Sequence, residues 1–418
     1  QNTSDWYPTY VQMPYYPDDS AWLVGGEKPT FSQVPGLLSE TLTWEKNRTW
    51  DIGFDWGLFN NRLTGSFDYY NRKTIDMVGP GPEVPDVLGT TAPTTNNVSM
   101  TSRGWELGIT WRDRIGDFYY SVTGSYDHTT TIDDYPNPNK SLSSKYYPGM
   151  TLGEIWGYET IGLARTKDQM NAHLDALDEA YTKFHGEAPG APHRGQIALG
   201  SGWTAGDLMF VDRNGDGVIN NGDNTADNPG DMKVIGNNTP RYCFGLTLEA
   251  QWKGFDLKVF FQGVGKRDHR PRSWSTFFGC STIDEWHCTV YEPHLDYFRD
   301  TDTEDPLGPN VNAYYPRVFM DNGNGPRNHV ASTTYLQNAA YCRLKNVTIG
   351  YTLPQSLTRR IFVEKARFFV SGENLATITK FTKMGDPELL DTYYATDLGI
   401  GRCYPLSRVF SCGVNITF

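Results

Sequence analysis

The segment with the clearest chemistry is an acidic, glycine-rich loop at residues 212–223. Its oxygen-bearing side chains have the spacing of an EF-hand-type loop, with Gly217 at the sharp turn of that loop. Such a loop surrounds a hard cation with oxygen atoms, including one backbone carbonyl. The spacing predicts a structural Ca²⁺ site whose ligands are Asp212, Asn214, Asp216, the Val218 carbonyl and Asp223.

The loop departs from the EF-hand pattern in two respects. Asp223 stands where an EF-hand has a bidentate Glu, and the sequence shows no flanking pair of helices. A turn rich in Asx and Gly residues, without metal, is therefore the alternative interpretation. In either case Ile219 is expected to anchor the loop into a core, so that the loop stabilises its surroundings rather than senses a signal.

Aromatic side chains in the long segment 265–335 are the candidates for contact with a substrate. Their rings suit stacking on sugars, but packing among the loops is the alternative. The proposed substrate residues are Trp274, Phe278, Trp286 and Tyr291.

Other combinations of reactive residues are weak. Cys280, His287, Cys288 and His294 do not have the spacing of a known metal site, and the two cysteines are as well explained as free thiols as by a disulfide. The pair Asp386 and Glu388 flanks a proline in a loop, and nothing indicates that it lines a cleft. The sequence contains no Ser/His/Asp arrangement, phosphate-binding loop or Cys-x-x-Cys motif, so we expect no enzyme.

The elements that would position these loops are strands. Nine segments alternate apolar and polar residues with a period of two, which is typical of a strand with one apolar face. The last of them ends the sequence on Phe418. The predicted strands are centred on residues 50–56, 63–69, 105–111, 120–126, 244–252, 255–261, 347–353, 366–370 and 410–418.

The connections between these strands alternate in length. Asn60-Asn61, 113–117, Lys253-Gly254 and 354–364 are short to moderate, whereas the intervening connections are long. Short turns at one end and long loops at the other are typical of a bacterial outer-membrane barrel. Several strands also carry Trp near their ends, as expected of aromatic girdles at the membrane interfaces.

Composition agrees with an all-β membrane barrel. Aromatic residues make up 14% of the 418 residues, and no run of 18 apolar residues exists that would form a spanning helix. The net charge of −12 argues against a nucleic-acid partner, which would need a basic face. One short loop helix is also predicted, because Thr166 and Gln169 form a capping box before Met170, Leu174, Leu177, Tyr181 and Phe184, and Gly186 follows.

The strand count is odd, whereas bacterial single-chain barrels have an even number of strands. We therefore expect residues 38–418 to be the carboxy-terminal part of a larger barrel. Residues 1–37 would be an extracellular loop segment, and 133–240 a long extracellular insertion that carries the Ca²⁺-type loop.

Several stretches together resemble the SusC/RagA-type TonB-dependent transporters. The resemblance spans about residues 40–418 in the order of that family. Its segments are 60–70 with Lys73-Thr74, 206–219, 335–341, 343–351, 371–375, 386–388 and 404–418.

The resemblance implies a 22-stranded outer-membrane barrel with an amino-terminal plug. It also implies import of oligosaccharides or peptides with a SusD-like surface lipoprotein, driven by the TonB–ExbB–ExbD complex. The chain would contribute lumen wall, loops and docking surface, and its other partners would be the amino-terminal barrel and plug and the outer-membrane lipid. The alternatives are a Ca²⁺-stabilised adhesin or anchor barrel, and a soluble glycan-binding β module.

Overall fold

The structure is a computed structural model, and it describes residues 15–16, 23–32, 36–40, 42–81, 84–90, 92–125, 128–271, 277–278, 290–318, 327–391 and 404–418. Strands dominate. The first nine are β1 (Tyr15–Tyr16), β2 (Phe31–Ser32), β3 (Lys46–Leu58), β4 (Leu63–Gly79), β5 (Thr95–Ile115), β6 (Phe118–Ser125), β7 (His128–Asp134), β8 (Glu154–Tyr158) and β9 (Thr160–Leu163). The others are β10 (Leu208–Phe210), β11 (Met232–Asn237), β12 (Arg241–Trp252), β13 (Phe255–Lys266), β14 (Asp268–His269), β15 (Gln337–Asn338), β16 (Tyr341–Thr352), β17 (Lys365–Thr379) and β18 (Val409–Thr417).

In the described residues, two α-helices accompany the strands. The helix α1 (Lys167–His185) is 19 residues long, and α2 (Gln355–Thr358) is a single turn. Neither helix in the described part of the chain is long and apolar enough to cross a membrane. The predicted capping of α1 is confirmed, since the Thr166 side chain accepts a hydrogen bond from the Gln169 amide at 3.1 Å and Gly186 ends the helix with φ of 75°. Phe184 is an exception to the predicted buried stripe, because its side chain is exposed.

The chain divides into two compact units. The smaller unit contains residues 1–52, 69–104 and 129–152. In its described part, β7 pairs with β5, and β1 pairs with β2 inside the segment that we expected to be loop. The Thr101 and Asp133 side chains and the Ser102 and Thr130 hydroxyls link the first two of these strands.

The larger unit contains residues 53–68, 105–128 and 153–418. One sheet has the strand order β18-β17-β16-β13-β12-β6-β5-β4-β3, and the strands from β18 to β5 pair with their neighbours in antiparallel fashion. These nine strands are the nine segments that the period of two predicts, and they follow one another along the chain in the predicted order. Within the described residues β18 and β3 form the two edges of the sheet and do not pair with each other.

The ends of these strands confirm the alternation of loop length. At one end the turns are short, and Lys253-Gly254 closes its hairpin with φ of 47° and 91°, which suits a two-residue turn. At the other end the chain makes its long excursions, between β6 and β12, β13 and β16, and β17 and β18.

The register gives the sheet two chemically different faces. Residues directly opposite each other on neighbouring strands point to the same side, so the pairs Leu257–Ile349 and Ile349–Val370 continue one apolar row across strands. We call this side the apolar face. It holds residues 109, 111, 118, 120, 122, 246, 248, 250, 252, 255, 257, 259, 347, 349, 351, 366, 368, 370, 410, 412, 414 and 416.

Many side chains of the apolar face are exposed in the described part of the chain, although Ala366 is buried. Ile349, Val370 and Phe410 are 55%, 59% and 73% exposed. Exposed apolar side chains in a continuous band are what a barrel presents to lipid, since hydrocarbon replaces the protein core there. The predicted amphipathic ending is therefore confirmed, because Phe410, Val414 and Ile416 belong to this face.

The long excursions contain the main buried core of the described residues. We call the described residues of 153–240, 277–278, 290–318, 327–340 and 380–391 the loop body. Its core includes Met170, Leu174 and Leu177 of α1, together with Phe210 and Ile219, all of them buried. The long connections between the barrel strands therefore pack together as one folded body and are not a set of separate loops.

Candidate functional site: the polar face and the loop body

The side of the sheet opposite the apolar face carries charged and hydroxyl side chains, and we call it the polar face. On this face Glu249 lies opposite Lys258, and their charged atoms are 3.0 Å apart. Asp256 is held by both Nε and Nη2 of Arg367, at 2.9 and 2.5 Å. Fixed ion pairs on one face and exposed apolar residues on the other define a wall between water and lipid.

A concavity of about 780 Å³ opens at the short-turn end of this wall. The turns after β5 and β12 contribute to it, together with the end of β16 and the start of β17, and its described lining contains four cations and three carboxylates. The charged lining residues are Arg114, Asp117, Glu249, Lys253, Asp256, Lys365 and Arg367. A surface of this kind binds a polar protein segment or a hydrated solute better than an apolar one.

A buried carboxylate organises the loop body. Asp207 is fully buried, and its Oδ1 accepts hydrogen bonds from Arg317 Nε and Asn328 Nδ2, both at 2.9 Å. Its Oδ2 accepts from the Thr204 amide at 3.0 Å. Asn328 in turn accepts from the Leu208 amide at 2.8 Å, so three distant segments converge on one charge. Sequence reasoning missed this cluster, because nothing in the local sequence connects its members.

The predicted Ca²⁺ loop lies against α1. Ile219 is fully buried and its amide donates to the Gly195 carbonyl, which confirms the expected anchor. Gly217 has φ of 78°, and a Cβ placed there would stand 2.3 Å from the Tyr181 nitrogen. The loop therefore packs tightly on the helix through its glycine turn.

The predicted ligands make hydrogen bonds within the loop. Asp212 accepts from the Gly215 and Gly217 amides at 2.7 and 2.9 Å, and Asp216 accepts from the Val218 amide at 2.8 Å. The Asn214 amide group donates to Asp216 at 2.8 Å. Asp223 instead accepts from Asn228 Nδ2 at 2.7 Å in the following turn.

A carboxylate that the sequence did not suggest lies next to this loop. Asp231 is fully buried and accepts from the amides of Arg213 and Asn220 at 2.8 and 2.9 Å. Burial raises the pKa of Asp231, and the negative charges of Asp212 and Asp216 raise it further. Within the described residues, no three carboxylate, imidazole or thiol groups are arranged to hold a metal ion. The Ca²⁺ site stays a prediction.

The proposed substrate aromatics have different surroundings. Phe278 is 2% exposed and packs edge-on against Phe277 and Tyr335, so the expectation that its ring offers a free stacking face is wrong. Tyr291 is 41% exposed and precedes the 3-10 turn Glu292–Leu295. Trp274 and Trp286 lie outside the described residues.

One of the weaker candidates, His294, serves packing. His294 is buried, and its ring nitrogens contact the Tyr291 amide at 2.9 Å and the Phe277 carbonyl at 3.1 Å. Cys280, His287 and Cys288 lie outside the described part of the chain.

Asp386 and Glu388 hold a cation of the sheet. Arg343 of β16 has a side chain that is 4% exposed, and it contacts Asp386 at 2.7 Å and Glu388 at 2.6 Å. Lys345 pairs with Glu388 at 2.9 Å. The carboxylates that the sequence left without a role therefore attach the segment after β17 to β16.

Comparison with known proteins identifies the class as an outer-membrane β-barrel receptor. Residues 5–264 match the family model described as TonB dependent receptor-like, beta-barrel. This match covers more than half of the chain, and the chain belongs to that family. It is an outer-membrane protein, and it is not an enzyme, because TonB-dependent transporters are not enzymes.

Named relatives agree with the SusC/RagA-type resemblance. The chain is 27% identical to TonB-dependent receptor P3 of Formosa agariphila over 95% of its own length and 36% of the relative. It is 24% identical to TonB-dependent receptor SusC of Bacteroides thetaiotaomicron, over 92% of the chain and 33% of that protein. The chain thus spans about a third of the length of these relatives.

Solved structures support the fold. A structure described as the RagAB peptide transporter superposes on this chain with a TM-score of 0.61 and 21% identity. The superposition covers 99% of this chain and 39% of the RagAB chain. The same values describe the likeness to the RagAB peptide importer in its closed-closed state. The shared fold confirms an antiparallel barrel wall.

Proposed function

We propose that this chain is the carboxy-terminal wall and loop body of an outer-membrane importer of oligosaccharides or peptides. The observation that carries the proposal is the two-faced sheet: apolar rows on one side and the ion pairs Glu249–Lys258 and Asp256–Arg367 on the other. A wall of this kind separates lipid from an aqueous lumen, and the loop body is large enough to contribute to substrate selection above it.

Import against a gradient across the outer membrane requires energy from the inner membrane. We therefore assign the TonB–ExbB–ExbD complex as the energy source and an amino-terminal plug as the segment that fills the lumen. The mixed charges of the concavity at the short-turn end, such as Arg114 and Asp117, suit contact with a polar plug surface. Membership of the TonB-dependent receptor family supports this assignment.

A SusD-like lipoprotein is the proposed partner at the long-loop end. The loop body exposes scattered apolar side chains there, among them Ile161, Val234, Leu295 and Leu307. A lid needs such residues at the centre of its interface and polar residues around them. The likeness to SusC and to the RagAB structures supports this partner.

The test uses the complete protein in its native bacterium. Deletion of the gene is expected to abolish uptake of one class of labelled oligomer, either a peptide or an oligosaccharide, and a protonophore is expected to abolish the same uptake. The complete protein, purified from outer membranes in detergent, is expected to retain a surface lipoprotein. Unchanged uptake of both classes after deletion would refute the importer.

A further inference from the structure

The loop body contains a cleft of about 500 Å³ that the preceding sections leave without a role. Its size is within the range of small-molecule sites. One wall is β9, and the facing wall is the segment Val311–Tyr314. The lining residues that bear on binding include Leu163, Arg165, Met209, Val311, Tyr314 and Thr334.

Arg165 is the charged residue of this described lining, and its guanidinium is available. The side chain is exposed, and only its backbone amide is engaged, by Gln169 Oε1 at 2.8 Å. No described carboxylate forms an ion pair with it. A guanidinium with free donors beside a cleft suits a carboxylate, which it can bind through two parallel hydrogen bonds.

Within β9, the backbone N–H and C=O of Leu163 point into the cleft without a described partner. The Ala164 amide donates to the Asp207 carbonyl, and the Leu208 amide turns away to Asn328 Oδ1. Because an antiparallel ladder alternates its bonds, Leu163 directs its N–H and C=O away from β10. No described backbone group pairs with them.

On that side of the chain, the neighbouring segment diverges before it reaches Leu163. The Thr333 amide donates to the Tyr158 carbonyl at 3.0 Å, and the Thr160 amide donates to the Thr333 hydroxyl at 3.1 Å. Thr334 then forms part of the cleft lining. The cleft begins where β9 loses its neighbour, so an extended ligand can continue the pairing.

We propose that this cleft binds the carboxy-terminal end of a short peptide, which pairs with Leu163 as an added strand and places its terminal carboxylate on Arg165. Main-chain pairing with a sheet edge is a common way to bind peptides of varied sequence. Leu163, Met209 and Val311 supply apolar contacts for the peptide side chains. This inference rests on the proposed import function, and it assigns a substrate class to that function.

The lining favours a peptide over a sugar. Sugars are bound by exposed aromatic faces, and Tyr314 is the aromatic residue of the described lining. Its ring is engaged by Phe277, Tyr315 and Tyr335, and its hydroxyl accepts from Gln337 Nε2 at 2.8 Å. Tyr314 is 39% exposed, and these contacts leave less of its ring for stacking than an open platform would have.

The experiment measures binding of a fluorescently labelled tetrapeptide of alternating Ala and Leu to the complete protein in detergent. The free-acid peptide is expected to bind at least about tenfold more tightly than its carboxy-terminal amide. Arg165→Gln is expected to remove that preference while the amide peptide binds as before. Arg360 is an exposed arginine outside the cleft, so Arg360→Gln is the matched control and is expected to keep the preference for the free acid.

A second variant tests the cleft itself. Ala313→Trp fills it and is expected to weaken both peptides, with an unchanged thermal midpoint as the check on folding. Equal binding of acid and amide by the wild type would overturn the proposal, as would displacement of the peptide by a uronic acid disaccharide at lower concentration. If gene deletion abolishes uptake but Arg165→Gln leaves the acid preference intact, the importer stands and this site fails.

Discussion

Asp207 and Arg317 are 110 residues apart in the chain, yet Arg317 Nε lies 2.9 Å from Oδ1 of a carboxylate that is fully buried. Asn328 binds the same oxygen at 2.9 Å, so the charge is both paired and hydrogen-bonded. A buried charge is tolerated only when such partners surround it. The pair therefore fixes how two segments of the loop body meet.

Asp207→Asn removes the negative charge and with it the ion pair to the Arg317 guanidinium. We expect a loss of about 3 kcal/mol in the stability of the loop body, seen as a lower thermal midpoint of tryptophan fluorescence. Asp175→Asn is the matched control, since Asp175 pairs with His193 at 2.8 Å but is 65% exposed. The Asp175→Asn substitution should lower the stability by less than about 1 kcal/mol. Equal effects of the two variants would show that burial of Asp207 is not what matters.

The opposite faces of β16 give a second prediction. Ile349 lies on the apolar face and is 55% exposed, whereas its neighbour Thr348 lies on the polar face beside Lys258 and Ser371. Ile349→Arg would place a charge in lipid, at a cost of about 2 kcal/mol, which depends on depth. Thr348→Arg should cost less, because that side chain faces water. Heat-modifiable gel mobility of outer-membrane fractions measures the folded fraction, and equal assembly of the two variants would contradict the assignment of faces.

The sequence predicted the long secondary-structure elements, because they depend on the local periodicity of apolar residues. All nine long strands follow from alternation of apolar and polar residues, and α1 follows from Thr166, Gln169 and Gly186. The burial and pairing of side chains were missed where they depend on residues far away in the chain. Phe278 could not be recognised as buried, because its ring is covered by Phe277 and Tyr335 rather than by its own strand or helix.

Ion pairs between distant segments could not be predicted either, because the partners are far apart in the sequence. Asp386 and Glu388 were visible as a carboxylate pair, but their cation, Arg343, is 43 and 45 residues away. The peptide edge of β9 is defined by the point at which Thr333 and Thr334 leave it. Such gaps between segments have no signature in the sequence.

His329 makes the loop body sensitive to acid. Burial lowers the pKa of this imidazole to about 4, because its charged form has no water to solvate it. The unfolded chain has the ordinary value near 6.5, so it binds the proton more readily than the folded protein does. The stability contributed by neutral His329 is complete above about pH 6.5 and is lost progressively as the pH falls to about 4, by roughly 3 kcal/mol in total.

The measurement compares thermal midpoints at pH 7.5 and pH 5.0. His329→Gln cannot take up the proton, so its midpoint should fall less between the two values than that of the wild type. His185→Gln, on the last turn of α1 and exposed, is the control and should keep the wild-type slope. A His329 variant with the full wild-type pH dependence would assign the effect to other groups.

The glycines of the 212–223 loop offer a matched pair. Gly215 and Gly217 have almost the same φ, 77° and 78°, but a Cβ at Gly215 meets nothing within 4 Å. A Cβ at Gly217 would lie 2.3 Å from the backbone nitrogen of Tyr181. Both substitutions by Ala share the cost of a left-handed backbone, about 1 kcal/mol. Gly217→Ala should cost about 1–3 kcal/mol more, because α1 must move.

Thermal midpoints of the two glycine variants give the comparison directly. Since the backbone strain is shared, the difference between them reports only the contact between the loop and α1. Midpoints that agree within error would mean that the loop does not rest on the helix as described.

Binding of Ca²⁺ to this loop is the remaining prediction from the sequence. If the ion binds, Ca²⁺ at about 100 times its dissociation constant should raise the stability of the complete protein by about 2.7 kcal/mol, and excess chelator should reverse this. Asp212→Asn should abolish the rise, because Asp212 is the first predicted ligand and its oxygens already converge on the Gly215 and Gly217 amides. Asp223→Asn distinguishes the two descriptions of the loop: it weakens Ca²⁺ if the EF-hand spacing holds, and leaves it unchanged if Asp223 serves only Asn228. A thermal midpoint that is the same with Ca²⁺ and with chelator would identify the loop as a hydrogen-bonded turn that needs no metal.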